Sequence, residues 1–245
     1  MPFDTSSLWY LIPVCFLAAF SRSTFGFGDA LIAMPLLNLA FELKDILPLV
    51  AMLSFFVAFG ILLRDKRSFR WKSVAILAPF ALLGVPVGLV LVEYLPGWIV
   101  QIVLGVIIVA FCAQQLTKPS MLFLKTDKLA PIFGFGAGIL GGAYNTQGPL
   151  LVVYSALRRW TPEEFRATMQ GFFLPTSTTI LVGHYFAGRF TMTTVVMFAW
   201  TLPVVLIAIP MGTISLKYLD AKKFRFGLNL FLLAAGIALL IKALL

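Results

Sequence analysis

Six apolar runs, each close to or above the length that crosses a lipid bilayer, constrain the fold of this chain more than any other feature. They occupy residues 46–63, 74–92, 98–116, 165–186, 195–216 and 226–244. A membrane-spanning helix needs about 17–20 consecutive apolar residues. Composition agrees, because 60% of the residues are hydrophobic and 12% are charged, whereas a soluble domain has about 45–50% and about 25%. We therefore expect an all-α polytopic membrane protein.

Two further regions, residues 8–41 and 129–157, are apolar at both ends and carry a polar, glycine-rich stretch in the middle. The two middles read SRSTFGFGD at 21–29 and GGAYNTQGP at 141–149. Each flanking arm has about a dozen apolar residues, or roughly 18 Å of helix, which is short for a full crossing. We expect each region to form a re-entrant helical hairpin with its tip near the middle of the membrane.

One interrupted region followed by three spans occurs twice, in residues 1–120 and in residues 121–245. The match reaches individual residues, since VPVG at 85–88 corresponds to IPMG at 209–212. Pro and Gly are common in membrane helices, but their recurrence in register favours an internal duplication. The sequence therefore predicts two repeats within one integrated transmembrane domain.

The basic residues indicate how the two halves are oriented. The loop after the first span of the first half holds Arg64, Lys66, Arg67, Arg70 and Lys72, whereas in the second half the basic cluster follows the second span, at 217–225. If every basic loop is cytoplasmic, the repeats are inverted and both termini lie outside the cytoplasm. The expected location is the plasma membrane, which is the inner membrane in a bacterium. The formal charge of +9 then belongs to loops, and no nucleic-acid binding is expected.

The two polar middles are the candidate binding site. A helix start after Gly28 and another after Gly148 would offer free N–H groups to an anion. Arg22 either forms a structural ion pair with Asp29 or binds an oxyanion with its planar guanidinium. Asp29 is a helix cap or partner of Arg22, or it carries the proton if protons drive transport. The candidate substrate-binding residues are Ser21, Arg22, Ser23, Thr24, Gly26, Gly28, Asn145, Thr146, Gln147 and Gly148.

Other polar and aromatic residues near the span ends receive structural interpretations. His184, the only histidine, lies beside a predicted outer loop and is expected at the surface rather than in a proton relay. Trp71, Trp98 and Trp160 are expected to anchor span ends at the membrane interface. The hydroxyl residues at 176–179 are expected to bond back within their own helix rather than to line a path. With one histidine and two distant cysteines, no metal or cofactor site is expected.

The segments FGFGDALIAMPL at 25–36, GGAYNTQGP at 141–149 and PEEFRAT at 162–168 resemble the sulfite exporter TauE/SafE family of membrane permeases. The resemblance runs over nearly the whole chain. It implies export or uptake of small sulfur-containing anions such as sulfite or organosulfonates. The chain departs from the family pattern in having Gly-Phe-Gly-Asp in place of three glycines, and one proline after Gly148 where two are frequent. Both departures fall at the predicted tips, where they would affect the choice of anion.

Two other functional classes fit the sequence less well. A membrane-embedded enzyme is disfavoured because the chain has no His-Glu-x-x-His motif and no evident intramembrane Ser/His or paired carboxylates. A structural membrane subunit would leave the duplicated polar breaks unexplained. We therefore expect a secondary transporter and not an enzyme. Its expected partners are a small anion and the lipid bilayer, and the sequence is also compatible with a homodimer.

Overall fold

The structure, a computed structural model, describes residues 7–64, 70–117, 124 and 126–215, together with position 218 and scattered positions between 226 and 243. Within this part of the chain every regular element is a helix. The helices are α1 (Leu8–Phe25), α2 (Asp29–Ala40), α3 (Leu43–Arg64), α4 (Trp71–Tyr94), α5 (Gly97–Thr117), α6 (Ala130–Tyr144), α7 (Gly148–Leu157), α8 (Pro162–Phe186) and α9 (Met192–Ser215). The predicted span at 226–244 lies mostly outside the described residues, as do Lys66, Arg67, Lys217, Lys222, Lys223 and Arg225.

Four of the described helices are long and apolar enough to cross a bilayer. They are Leu8–Phe25, the Leu43–Leu63 part of α3, Trp71–Tyr94 and Met192–Ser215. Large apolar side chains on α4 and α9 point away from the protein; Leu83 is 64% exposed and Ile207 is 58% exposed. Such surfaces suit lipid rather than water. The prediction of an α-helical polytopic membrane protein is therefore confirmed. Helix α8, predicted as a span at 165–186, has 25 residues but is more polar than these four.

The two helix breaks are shorter than the sequence predicts. Helix α1 continues to Phe25, so only residues 26–28 of the first polar stretch are non-helical, and only residues 145–147 of the second. Gly26 and Gly28 make the first break possible, because their φ angles of 87° and 104° lie in a region that other residues rarely adopt. With 18 residues, α1 also exceeds the arm of about a dozen residues expected from the sequence, and spans roughly 27 Å.

Helices α3 and α8 pack against each other and run in opposite directions. Arg70, which directly precedes α4, forms an ion pair of 2.5 Å with Glu164 at the start of α8. Just beyond the end of α8, Thr191 donates a hydrogen bond of 3.1 Å to Asp45 at the start of α3. The start of α8 is fixed by Thr161, whose side chain and backbone exchange hydrogen bonds with Glu164 in a capping box. The end of α8 thus lies beside the start of α3, and the start of α8 lies beside the start of α4.

The packing partners of the two halves correspond. Helix α1 packs along α9 and α6 packs along α4, while α3 contacts α9 and α8 contacts α4. Helices α1, α3 and α9 correspond in this way to α6, α8 and α4. The α1–α9 contact corresponds to the α6–α4 contact, and the α3–α9 contact corresponds to the α8–α4 contact. The α3–α8 contact corresponds to itself.

Glycines bring α4 and α6 into backbone contact. A Cβ atom added to Gly138 would lie 2.1 Å from the carbonyl oxygen of Ala81, and one added to Gly142 would lie 2.2 Å from that of Val85. On the facing helix, a Cβ at Gly84 would lie 2.3 Å from the carbonyl oxygen of Phe135. Small residues four apart allow this close approach in membrane helices. Because α6 ends directly at the second break, the packing against α4 also positions that break.

Two side chains that the sequence places at the surface are buried. His184 is 0% exposed, because the turn after α8 folds back and brings the Arg189 guanidinium to 3.4 Å from its Nδ1. Trp160 is 9% exposed and packs edge-on against Tyr154. The surface prediction for His184 and the anchor prediction for Trp160 are therefore wrong. Trp71 and Trp98 are well exposed.

Candidate functional site

Arg22 is the centre of the candidate site. The last turns of α1 hold its side chain inside the protein, where the residue is 1% exposed. Its Nη1 lies 2.5 Å from Oδ2 of Asp29, the first residue of α2. Its Nε and Nη2 donate longer hydrogen bonds, of 3.4 and 3.3 Å, to the side-chain oxygen of Gln170. The guanidinium carbon lies 4.5 Å from the ring centroid of Phe173. In this state the cation is therefore paired with a protein carboxylate.

The Asp29 carboxylate has a second partner on α3. Ser54 donates a hydrogen bond of 2.5 Å to the same Oδ2 atom that faces Arg22. The predicted pairing of Asp29 with Arg22 is thus present. The side chain of Asp29 itself does not cap α2, whose preceding residue is Gly28.

The second break is held by contacts to two other helices. Asn145 has a φ of 56°, and its amide nitrogen donates a hydrogen bond of 2.9 Å to the carbonyl of Leu47 on α3. The side-chain oxygen of Gln147 accepts a hydrogen bond of 2.8 Å from Thr176 on α8. These contacts fix the break beside α3 and α8, which also carry Ser54 and Gln170.

The two breaks meet at one cavity. The ring of Phe27 in the first break lies against Gly148, where an added Cβ atom would be 3.0 Å from the ring carbon Cδ2. Beside this contact is a narrow cavity that is partly open to the surroundings. Its lining residues come from both breaks, from the helix ends beside them and from α3 and α8; they are Arg22, Gly28, Asp29, Ala30, Leu31, Ser54, Asn145, Thr146, Gln147, Gly148, Phe173 and Ser177.

Two helix N-termini border this cavity. Helix α2 begins at Asp29 and α7 begins at Gly148, and both residues line the space. The first N–H groups of a helix have no acceptor within the helix, and the helix dipole adds partial positive charge at this end. With the guanidinium of Arg22, the cavity therefore has three features that attract an anion. Asp29 offsets them with one negative charge.

The remaining predicted binding residues lie outside the cavity lining. Ser23 donates to the carbonyl of Ala19 at 2.7 Å, and Thr24 donates to that of Phe20 at 2.8 Å. Thr24 also lies 3.2 Å from the carbonyl oxygen of Gly212 on α9. The carbonyl of Gly26 accepts a hydrogen bond of 3.0 Å from Gln170. The hydroxyl of Ser21 is buried beside Gly28, without a hydrogen-bond partner among the described residues.

Three residues of the site, namely Ser54, Gln170 and Phe173, were not predicted from the sequence. Ser177, which was expected to bond back within its helix rather than to line a path, lines the cavity. A role for Gln170 could have been predicted from the sequence, because an amide in the middle of a membrane helix needs a polar partner. Its neighbour Thr176 does bond back to the carbonyl of Phe172 as expected, at 2.9 Å, but it also holds Gln147. Ser54 and Phe173 carry no comparable signal in their own segments.

A second, apolar cavity lies on the far side of Asp29. It shares Asp29 and Ser54 with the first cavity, and its other lining residues are Cys15, Ala18, Ala19, Ala33, Val50, Leu53, Val57 and Val205. Asp29 and Ser54 therefore line both a polar cavity and an apolar one.

Comparisons with known proteins place the chain in a family. Neither the curated proteins nor the solved structures provide a match. The family model described as "Sulfite exporter TauE/SafE" matches residues 11–239, and this family consists of membrane transporters of sulfur-containing anions. Since the match begins in α1 and includes both breaks and all the helices that follow up to α9, the chain belongs to the TauE/SafE sulfite exporter family.

Proposed function

We propose that the protein is a secondary transporter that carries sulfite or a small organosulfonate through the cavity between the two helix breaks. The observation that carries this proposal is the meeting of one buried guanidinium and two helix N-termini at one cavity. Arg suits such an anion because its planar guanidinium can donate two parallel hydrogen bonds to two oxygens of one oxyanion. Family membership supports the same class of substrate.

The other wall of the cavity supplies neutral polar groups. Ser177 and Gln147 are among the residues that line the cavity. The side chains of Asn145 and Thr146 also line it, but each already donates a hydrogen bond to a backbone carbonyl. Neutral donors opposite a single cation would hold a monovalent anion without binding it too tightly for release.

We also propose that the two halves are inverted repeats, each with a re-entrant helical pair whose tip carries the break. The opposite directions of α3 and α8 support this arrangement, as does the exchange of packing partners between the halves. The short α2, with 12 residues, and α7, with 10 residues, are compatible with arms that end inside the membrane. On this arrangement both termini lie outside the cytoplasm, and the protein resides in the plasma membrane.

A flux assay tests the proposed function. Purified protein is reconstituted into liposomes, and uptake of sulfite, sulfoacetate, taurine and sulfate is measured against protein-free liposomes. We expect saturable flux of at least one sulfur-containing anion. Ser177→Ala should reduce this flux, whereas Ser23→Ala should not, because Ser23 bonds back within α1 outside the cavity. Folded protein that moves none of the four compounds would contradict the proposal.

A further inference from the structure

We propose that Asp29 binds a proton when an anion binds to Arg22, so that anion and proton cross the membrane together. The inference rests on the proposed function and adds a proton site to the anion site. Two observations carry it. The cation that should receive the anion is already paired with Asp29, and an apolar cavity lies directly behind that carboxylate.

Every nitrogen of the Arg22 guanidinium that donates in this structure donates to Asp29 or Gln170, and its face is covered by Phe173. The Arg22–Asp29 pair is neutral as a whole. An anion that binds Arg22 competes with Asp29 for the guanidinium, whether it binds beside Asp29 through the other N–H groups or takes its place at Nη1. In both cases two negative groups share one buried cation. Such a site is unfavourable unless one of the two groups is neutralised.

A single proton removes this conflict. The Asp29 carboxylate takes up a proton that the buffered solution supplies as hydronium or as the acid form of the buffer, and becomes a neutral carboxylic acid. The guanidinium keeps all its protons and pairs with the incoming anion. The site holds one positive and one negative charge before binding and again afterwards. For a monovalent anion the net charge of the site is unchanged, so no uncompensated charge has to be buried in the membrane.

The second cavity provides the place for the displaced acid. Apart from Asp29 and Ser54 its lining is aliphatic except for the Cys15 thiol, which suits a neutral carboxylic acid and disfavours a carboxylate. Ser54, which donates to the Asp29 carboxylate here, can instead accept a hydrogen bond from the protonated group. Because the second cavity favours the neutral acid over the carboxylate, movement of the Asp29 side chain towards that cavity goes together with its protonation.

No other carboxylate among the described residues lines either cavity, so Asp29 is the group that can accept the proton. From α1 it faces Arg22 and, across the second cavity, the Cys15 thiol; from α3 it faces Ser54. Helix α5 has no charged residue in its sequence, α8 contributes the neutral Gln170 through Arg22, and the second break is uncharged. Arg166, on α8, lies beside Gly26. Among the described residues, Arg22 and Asp29 are the charged groups that line either cavity.

The test measures proton uptake directly. Methanesulfonate is titrated calorimetrically into detergent-purified protein, in buffers with different heats of ionisation and across a range of pH. This probe remains a monoanion throughout, so any proton taken up belongs to the protein. We expect close to one proton per bound anion, and an affinity that falls as the pH rises, by at most about tenfold for each unit of pH. Asp29→Asn should bind without proton uptake and with little dependence on pH.

A cavity-filling variant keeps the test independent of Asp29 itself. Ala33→Val places two methyl groups in the second cavity, so it should hinder the displacement of Asp29 and weaken methanesulfonate binding at least tenfold in folded protein. Ala40→Val is the control, because Ala40 is an exposed residue of the same helix outside both cavities. Binding of methanesulfonate by the parent protein without proton uptake would overturn the inference and leave the proposed function intact. Absence of binding at every pH would count against the anion site and so against both.

Discussion

Replacement of Arg22 tests the anion site most directly, but the single substitution Arg22→Gln has two effects. It removes the cation proposed to bind the anion, and it leaves the Asp29 carboxylate with Ser54 as its side-chain partner. Loss of one member of a buried ion pair costs about 3–5 kcal/mol of stability. Because the side chain of Asp29 is 14% exposed and lies at a helix start, we expect a value near the lower end. A destabilised protein could mimic a loss of binding.

A double variant separates the two effects. Arg22→Gln combined with Asp29→Asn leaves neither charge behind, and Asp29→Asn alone is its matched reference. The difference in anion affinity between these two proteins is then the contribution of the guanidinium. One charge-assisted hydrogen-bonded contact is worth about 1.5–3 kcal/mol, which corresponds to roughly a tenfold to hundredfold weaker affinity. Arg22→Lys keeps a charge but loses the two-pronged geometry, so it should weaken binding less than Arg22→Gln.

The affinities are measured by calorimetric titration of sulfite and methanesulfonate into detergent-purified proteins whose folding is checked by thermal unfolding. We expect Asp29→Asn to bind these anions at least tenfold more tightly than the double variant does. If the folded double variant binds these anions as tightly as Asp29→Asn does, Arg22 is a structural residue and the anion site lies elsewhere.

Three further predictions concern topology, helix packing and the neighbour of the guanidinium. Single cysteines at Ser68 and Ala187, in a protein without the native cysteines, should react with an impermeant thiol reagent from opposite sides of the membrane; labelling of both from one side would exclude the inverted arrangement. Gly138→Val should lower the thermal unfolding temperature, since overpacking costs about 1–3 kcal/mol. Gly136→Ala should not lower it, because the added Cβ meets only the end of a leucine side chain. Equal unfolding temperatures would contradict the close packing of α4 and α6. Gln170→Glu should weaken anion binding in the same calorimetric titration more than Gln170→Leu does, because it adds a second carboxylate at the guanidinium; equal affinities would argue against competition for that cation.

The positions of the helices follow from the sequence because apolar runs and glycines act locally. The length of the first break does not, and the reason is visible in Ser23 and Thr24. Both hydroxyls donate to carbonyls four residues earlier in α1, so a polar stretch continues the helix instead of interrupting it. The burial of His184 likewise depends on the turn that brings Arg189 over it, which hydropathy does not reveal.

The site was predictable only in part for a related reason. Arg22 and Asp29 are seven residues apart, so their pairing across one break follows from the local sequence. Gln170 is 148 residues from Arg22, and its contact arises from the packing of α8 against the first half. Residue spacing on one helix identifies neighbours three or four positions away, but it does not identify which distant helix will face them.

The glycine contacts between α4 and α6 have a mechanical consequence. Two helices whose backbones touch have little side-chain volume between them to shear, so they resist sliding and bending as one strut. The second break follows directly after Tyr144, the last residue of α6. The first break follows α1, which contacts α9 at Gly212, where an added Cβ would lie 2.6 Å from the carbonyl oxygen of Phe20. Helix α3 packs against α9 and α8, and α8 also packs against α4, so displacement of one tip relative to the other would change the contacts of α3 and α8.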